Sequence, residues 1–279
     1  MSAEHNHFVM GFLQSIEQDD FSLMQDFHES TKLQRNGSKK LLKRIGTFMH
    51  VPSIRHLVTG AYKDYQGCRR VILPSADLQD ARLADALKNR RSLSSVQQGF
   101  TTEAVDLQQL ATVLQSSYGV TGYIEPRQPT DPRQPLRAIA SAGALYPCEI
   151  YVCALNINGL ANGLYHYDVN QHQLAELENG DIRPQLFRCL PGGSLWRNSA
   201  AMIVIGLMIE RSVSKYLERG YRFAMHDAGA LLQNLYLTST AAGLTGCGVG
   251  GFYDQQLADW LRMHPHQEFP AICFALGKI

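Results

Sequence analysis

The chain has 279 residues, a formal net charge of +1, 45% hydrophobic residues and 18% charged residues. It is long enough to bury a sizeable core without staples, as one large domain or two small ones. The near-neutral balance gives no global field that would point to nucleic acid or a membrane surface, and no apolar run approaches the ~20 residues of a membrane span. The start, MSAEHNHFVMGFLQSIEQDD, lacks the basic opening, long apolar stretch and cleavage site of a secretory signal, so a cytoplasmic protein is expected. Cysteines at 68, 148, 153, 189, 247 and 273 form no C-x-x-C pair. They read as buried or free thiols of a reducing compartment rather than a disulfide frame or a zinc site, and no metal is expected.

Residues 8–29 predict one or two amphipathic helices, with Phe8, Phe12, Leu13 and Ile16 on one face and Phe21, Met24 and Phe27 on another. His28 reads as a helix-end cap or surface histidine. Lys32, Arg35, Lys39, Lys40, Lys43 and Arg44 follow with no acid among them, which suits a solvated face or a docking surface for an acidic partner. Residues 45–75 read as irregular, so 1–75 is taken as an N-terminal helical and irregular region in contact with partners, and 76–279 as the main domain. A short helix signal at Asp80–Leu87 leads to Asn89-Arg90-Arg91-Ser92, where two guanidiniums and a hydroxyl could satisfy a phosphate dianion or form an exposed basic turn. Between 101 and 119 the pattern predicts a helix, capped by Asp106, with Leu107, Leu110, Ala111 and Leu114 on one face and Gly119 at its end. The loop 123–136, with prolines at 126, 129, 132 and 135, reads as a mobile connection.

Residues 137–151, RAIASAGALYPCEIY, carry the densest pattern. Ser141, Ala142, Gly143 and Ala144 leave the backbone bare, so a flat ligand could lie against it, and Arg137 could meet a phosphate or carbonyl. An ordinary turn before a strand is the plainer alternative. Strands are expected at 149–155, 163–168 and 173–177, the last two as a hairpin in which His166 is structural or, alternatively, a base. A short helix is expected at 181–190 and a buried central strand at 201–209. Lys215 and Tyr216 follow that strand, where they could transfer protons or simply pack. A long helix is expected over 221–244, with Gln233 and Asn234 interrupting its apolar face for a ligand or for a helix–helix hydrogen bond. The run GCGVGGF at 246–252 lacks the Gly-Lys-Ser/Thr of a phosphate loop. Asp254 is expected to cap a further helix, and 269–276 to form the last strand, followed by Lys278. No strand is followed by G-x-G-x-x-G, which argues against a dedicated nicotinamide domain.

Arg137, Ser141, Gly143, Pro147 and Glu149 fall in a pattern, R-x-x-x-S-x-G-x-x-x-P-x-E, that resembles the signature of nitroreductase-like flavoenzymes. With Ala144-Leu145-Tyr146-Pro147 after the glycine, it is similar to the SagB-type branch, the FMN-dependent azoline dehydrogenases of thiazole/oxazole-modified peptide pathways. The resemblance implies an α+β, nitroreductase-like fold with a central mixed or antiparallel sheet wrapped by helices. It implies a homodimer holding FMN at the subunit interface. Lys215 and Tyr216 would be catalytic. Arg90, Arg91, Ser92, Arg137, Ser141, Ala142, Gly143, Gln233, Asn234, Gly250 and Gly251 would hold FMN, with Lys278 a weaker phosphate candidate. The implied activity is oxidation of thiazoline or oxazoline rings in a ribosomally made, microcin-like precursor peptide. Implied partners are a YcaO-type cyclodehydratase and an E1-like leader-peptide-binding protein. The rivals are an NAD(P)H-dependent nitro or quinone reductase and a non-catalytic peptide-binding subunit.

Overall fold

The computed structural model describes residues 22–33, 39–59, 62–78, 81–93, 99–125 and 133–279; the helical pattern expected over 8–21 lies outside them. The chain divides into two compact units, Met1–Lys43 and Arg44–Ile279. In the first, helix α1 (Ser22–Ser30) buries none of its side chains, and the Thr31 hydroxyl donates to the Phe27 carbonyl at 2.6 Å where it ends. Helix α2 (Lys39–His50) runs across the boundary.

The larger unit is built on a seven-stranded sheet. Its strands are β1 (Arg70–Ile72), β5 (Cys148–Ala154), β7 (Gly163–Asp168), β8 (Gln173–Asn179), β9 (Ala201–Met208), β10 (Thr245–Val249) and β11 (Glu268–Gly277), in the order β1-β8-β7-β5-β9-β11-β10. Every neighbouring pair is antiparallel, so the expected mixed or antiparallel sheet takes its antiparallel form. Two short ladders stand apart: β2 (Val105–Asp106) pairs in parallel with β6 (Ile157–Asn158), and β3 (Val120–Ile124) pairs antiparallel with β4 (Gln134–Arg137).

The apolar runs predicted as central strands are buried on both faces, as their unbroken hydrophobicity requires. Alternate residues of β5 and β9 divide between two cores. Ile150, Val152, Ile203 and Ile205 join Phe274 and Leu276 on one face. That face is covered by α5 (Leu107–Tyr118) and the 23-residue α8 (Arg219–Ala241). Tyr151, Cys153, Met202 and Val204 join Cys273 and Ala275 on the other. There α6 (Arg183–Cys189) and α9 (Asp254–Trp260) contribute Leu186 and Leu257. Helix α8 buries Ala224, Ala228, Leu231 and Leu235 at helical spacing. At its head the missing side chain of Gly220 matters: a Cβ there would stand 2.6 Å from the Ser212 carbonyl, so glycine lets α8 fold back onto the preceding helix, α7 (Ile209–Tyr216).

Several local expectations change. Within 45–75, read as irregular, lie the second half of α2 and α3 (Pro52–Thr59). Pro52 opens α3 at the position where a missing N–H costs nothing. The loop 123–136 has strand at both its ends, because Val120–Ile124 pairs with Gln134–Arg137. Asp254 is the first residue of its helix, and Tyr253 holds the cap position. All six cysteines are free. Among the described residues no helix is long and apolar enough to cross a membrane.

Candidate active site

The chain before β5 and the helix after β9 leave the sheet side by side, because the two strands are antiparallel neighbours. Cys148 pairs with Leu207, and the Met208 N–H donates to the Pro147 carbonyl at 2.8 Å. This register brings the Ser-Ala-Gly turn against α7. Gly143 has φ 68°, the left-handed region that glycine enters at least cost. A Cβ at Gly143 would lie 2.6 Å from Lys215 Nζ and 2.6 Å from Tyr216 Oη. The two residues singled out for proton transfer and the glycine of the signature therefore meet at one point. Gly143 itself is exposed, so the meeting place is open to a ligand.

The turn is held from several sides. Ser141 Oγ accepts from the Tyr146 N–H at 2.9 Å, and Gln134 donates to the Ala144 carbonyl at 3.1 Å. Ala144 and Tyr146 have φ of 52° and 46°, and Leu217, directly after Tyr216, has φ 52° and ψ −144°. Non-glycine residues in these regions cost of order 1–3 kcal/mol each and gather where function fixes the backbone.

Electrostatics separates the pair. Lys215 is buried, and burial with the Arg55 charge moves its pKa down, so the neutral amine is more accessible. Burial with the charge of Asp227 moves Tyr216 up, so it keeps its proton. Asp227, on α8 and 4% exposed, was not singled out in the sequence. Burial pushes its carboxyl up to about 6, against opposing hydrogen bonding from the Ser141 hydroxyl and the Ala142 amide. The signal was present: a lone carboxylate between Ala224 and Ala228 on the buried face of a long helix.

A buried ionic cluster supports the same two segments. Arg211 on α7 donates to Glu149 on β5 at 2.5 Å and to the Tyr146 carbonyl at 2.9 Å. The other Glu149 oxygen pairs with His166 Nε2 at 2.7 Å. Although burial opposes it, the charge of Arg211 and the His166 contact hold the Glu149 carboxyl down at about 2. His166, read as structural or as a base, is buried in this cluster, and its Nδ1 has no partner among the described residues.

The remaining candidates fall into distinct places. Arg137 is 7% exposed, with its guanidinium 4.5, 5.0 and 5.6 Å from the ring centroids of Tyr118, Tyr146 and Tyr62. Its Nε has no hydrogen-bond partner among the described residues. Asn234 donates to the Ser117 and Ala138 carbonyls at 3.1 and 3.2 Å, which is the internal alternative weighed for it; Gln233 beside it is exposed. Arg90, Arg91 and Ser92 follow helix α4 (Leu83–Asn89), which packs on α8. There the Ser92 hydroxyl meets Tyr236 Oη at 2.9 Å, Arg90 lies 5.2 Å from the Tyr236 ring, and Tyr236 Oη accepts from the Gly248 N–H at 2.7 Å. Arg91 donates to the carbonyls of Lys88 and Arg90. Gly250 and Gly251 are exposed after β10, with nothing within 4 Å of where a side chain would begin. Lys278 stands 3.9 Å from Glu103.

A family model described as the nitroreductase family matches residues 87–278. The chain belongs to the nitroreductase family. The Lys215–Tyr216–Gly143 meeting point and the Arg90–Ser92 group both lie inside this nitroreductase region. A protein of Methanocaldococcus jannaschii that carries the nitroreductase name is 27% identical over 202 residues, covering 72% of this chain and 93% of its own. The microcin B17-processing protein McbC of Escherichia coli is 28% identical over 155 residues, 53% of this chain and 57% of McbC. In fold, the chain matches a structure of the Escherichia coli microcin synthetase McbBCD complex with truncated pro-MccB17 bound, at TM-score 0.56 and 22% identity, over 97% of each chain.

Proposed function

We propose that this chain is an FMN-dependent oxidoreductase that converts thiazoline or oxazoline rings of a ribosomally made precursor peptide to thiazole or oxazole. The observation that carries the reading is the convergence of Lys215 Nζ and Tyr216 Oη on Gly143. The similarity to McbC, a microcin-processing protein, supports the peptide substrate.

The residues present fit FMN. Exposed Arg91 and Ser92, with half-buried Arg90, offer guanidinium and hydroxyl donors of the kind a phosphate dianion needs. Gly229, Gly250 and Gly251 leave open space where side chains would begin, and Gln233 is exposed one turn beyond Gly229 on α8. These residues would hold the cofactor, with Ser141, Ala142 and Gly143 presenting bare backbone and Arg137 a buried positive charge. The chemistry FMN supplies when bound is acceptance of the hydride lost from the ring.

The chain's own residues handle the proton. Lys215, whose pKa burial and the Arg55 charge move down, takes the ring proton as general base. Tyr216, which keeps its proton, donates a hydrogen bond at the same point and orients the ring heteroatom. Asp227 anchors the Ser141–Ala142 turn from behind. The reading includes a homodimer working with a YcaO-type cyclodehydratase and an E1-like leader-peptide-binding protein.

The test has two parts. Purified protein should show a flavin absorption spectrum and release about one FMN per chain, an expected stoichiometry for one phosphate site of this kind. It should then convert an azoline-bearing peptide to the azole, with loss of two hydrogens by mass spectrometry and consumption of oxygen. A colourless protein that takes up no FMN refutes the flavoenzyme reading. Vigorous NAD(P)H oxidation with nitroaromatics, and no azoline turnover, would replace it by a nitro or quinone reductase.

A further inference from the structure

The nitroreductase match begins at residue 87, yet side chains packed on Lys215 come from ahead of it. Phe48, in the last turn of α2 and 3% exposed, sets its ring centroid 4.4 Å from Lys215 Nζ. Helix α3 packs on α7, and the charge of Arg55 on α3 acts on the Lys215 amine. Arg55 also donates to the Met49 carbonyl at 3.3 Å, which ties α3 to the end of α2. The same stretch continues to Tyr62 beside Arg137 and to Tyr65, whose ring lies 5.0 Å from that of His166. Phe48, Arg55 and Tyr62 therefore each stand by or act on a residue of the site.

We propose that Phe48 and Arg55 are positioning residues of the active site, which fix the Lys215 amine beside Gly143 and keep it available as a base. This rests on the proton-accepting role of Lys215 proposed above. The two side chains act in opposite senses. The Phe48 ring face attracts the ammonium. Burial and the like charge of Arg55 disfavour it, and burial is the larger of these two. Together they hold the amine in place without fixing its proton. Among the described residues, Tyr216 lies beside it, Arg211 stands one turn earlier on α7 and is paired with Glu149, and Asp227 on α8 acts on Tyr216.

The experiment measures the pH dependence of Lys215 acylation in the full-length protein without peptide. An amine-reactive ester is the probe, peptide mass spectrometry gives the site, and exposed Lys88 is the internal reference. In wild type the Lys215 midpoint should lie below that of Lys88. Arg55→Gln should raise it by about half a pH unit, a roughly threefold loss of labelling below the midpoint, and Arg55→Lys should restore it. Phe48→Leu keeps the apolar bulk but removes the ring face, and should lower the midpoint. A midpoint unmoved in both Arg55→Gln and Phe48→Leu, in proteins that melt like wild type, overturns the proposal. Should Arg55→Gln fail to fold, Phe48→Leu decides alone. The azoline reading fails separately, because a chain that turns over no azoline still gives these midpoints.

Discussion

Substituting alanine for Gly143 separates the site from the fold. Its backbone, at φ 68°, would carry an L-residue at a cost of about 1–2 kcal/mol. Its new Cβ would meet Lys215 Nζ and Tyr216 Oη, each at 2.6 Å. Ordinary non-bonded contact lies near 3.5 Å, so both polar ends must retreat by roughly 1 Å. They are the tips of flexible side chains and can do so, which leaves the backbone term as the main stability cost. A misplacement of this size costs about 100-fold in rate, or about 2.7 kcal/mol of activation free energy. Urea unfolding should therefore show a loss of no more than about 2 kcal/mol. Single-turnover flavin reduction by an azoline peptide should slow by about two orders of magnitude. A folded Gly143→Ala protein that reduces its flavin within about threefold of the wild-type rate, a loss well below 1 kcal/mol, would refute the placement of the reaction here.

Three further outcomes are expected. Glu149→Gln leaves the buried Arg211 unbalanced and should cost about 3–5 kcal/mol in chemical denaturation. Because the Glu149 pKa falls to about 2, its contribution is complete above its unfolded value near 4.5 and is lost as pH falls through 2. The variant should accordingly show a flatter stability profile over that window, and an unchanged profile would count against the pair. Asp227 behaves oppositely: with its pKa raised from 3.8 to about 6, the native state binds the extra proton, so stability declines as pH rises through that interval. Asp227→Asn should gain on wild type at pH 7 relative to pH 4 in thermal melts, and the Tyr216 titration followed by tyrosinate absorbance should move down; a pH-independent difference would argue that folding does not raise the Asp227 pKa. Arg90→Ala should weaken FMN retention at least about tenfold, the worth of one charge-assisted contact, measured by ultrafiltration of the holoprotein, whereas unchanged retention would move the phosphate elsewhere.

Much of the fold was legible because its elements carry clean periodicities. The unbroken apolar run of β9, the alternation in β7 and β8, and the 3.6-residue spacing of α5 and α8 each admit one reading. Helix α2 was obscured because its sequence, KKLLKRIGTFMH, presents a basic face and a central glycine, and Phe48 gains a partner only when α7 is in place. The Glu149–Arg211 pair joins residues separated by 62 positions, and no local pattern announces such a contact. Arg137 looked like an open fork, but Tyr62, Tyr118 and Tyr146 enclose it from three separate segments. Within the site, Lys215, Tyr216 and the Ser141–Gly143 turn were named from their resemblance to the family's motifs, each beside a recognisable strand. Asp227 was overlooked although its isolation on an apolar face marked it.

The pairing of β5 with β9 has a bearing on how the protein fails. One ladder of hydrogen bonds both seats the sheet's side chains in their two cores and sets Gly143 opposite Lys215. A slip of one residue would carry the two segments about 3.3 Å past each other and turn every side chain to the wrong face. Misalignment of Gly143 and Lys215 is thereby coupled to inversion of the cores, which disfavours any partly shifted sheet. Loss of catalysis and loss of the sheet should be one cooperative event, appearing at the same denaturant concentration.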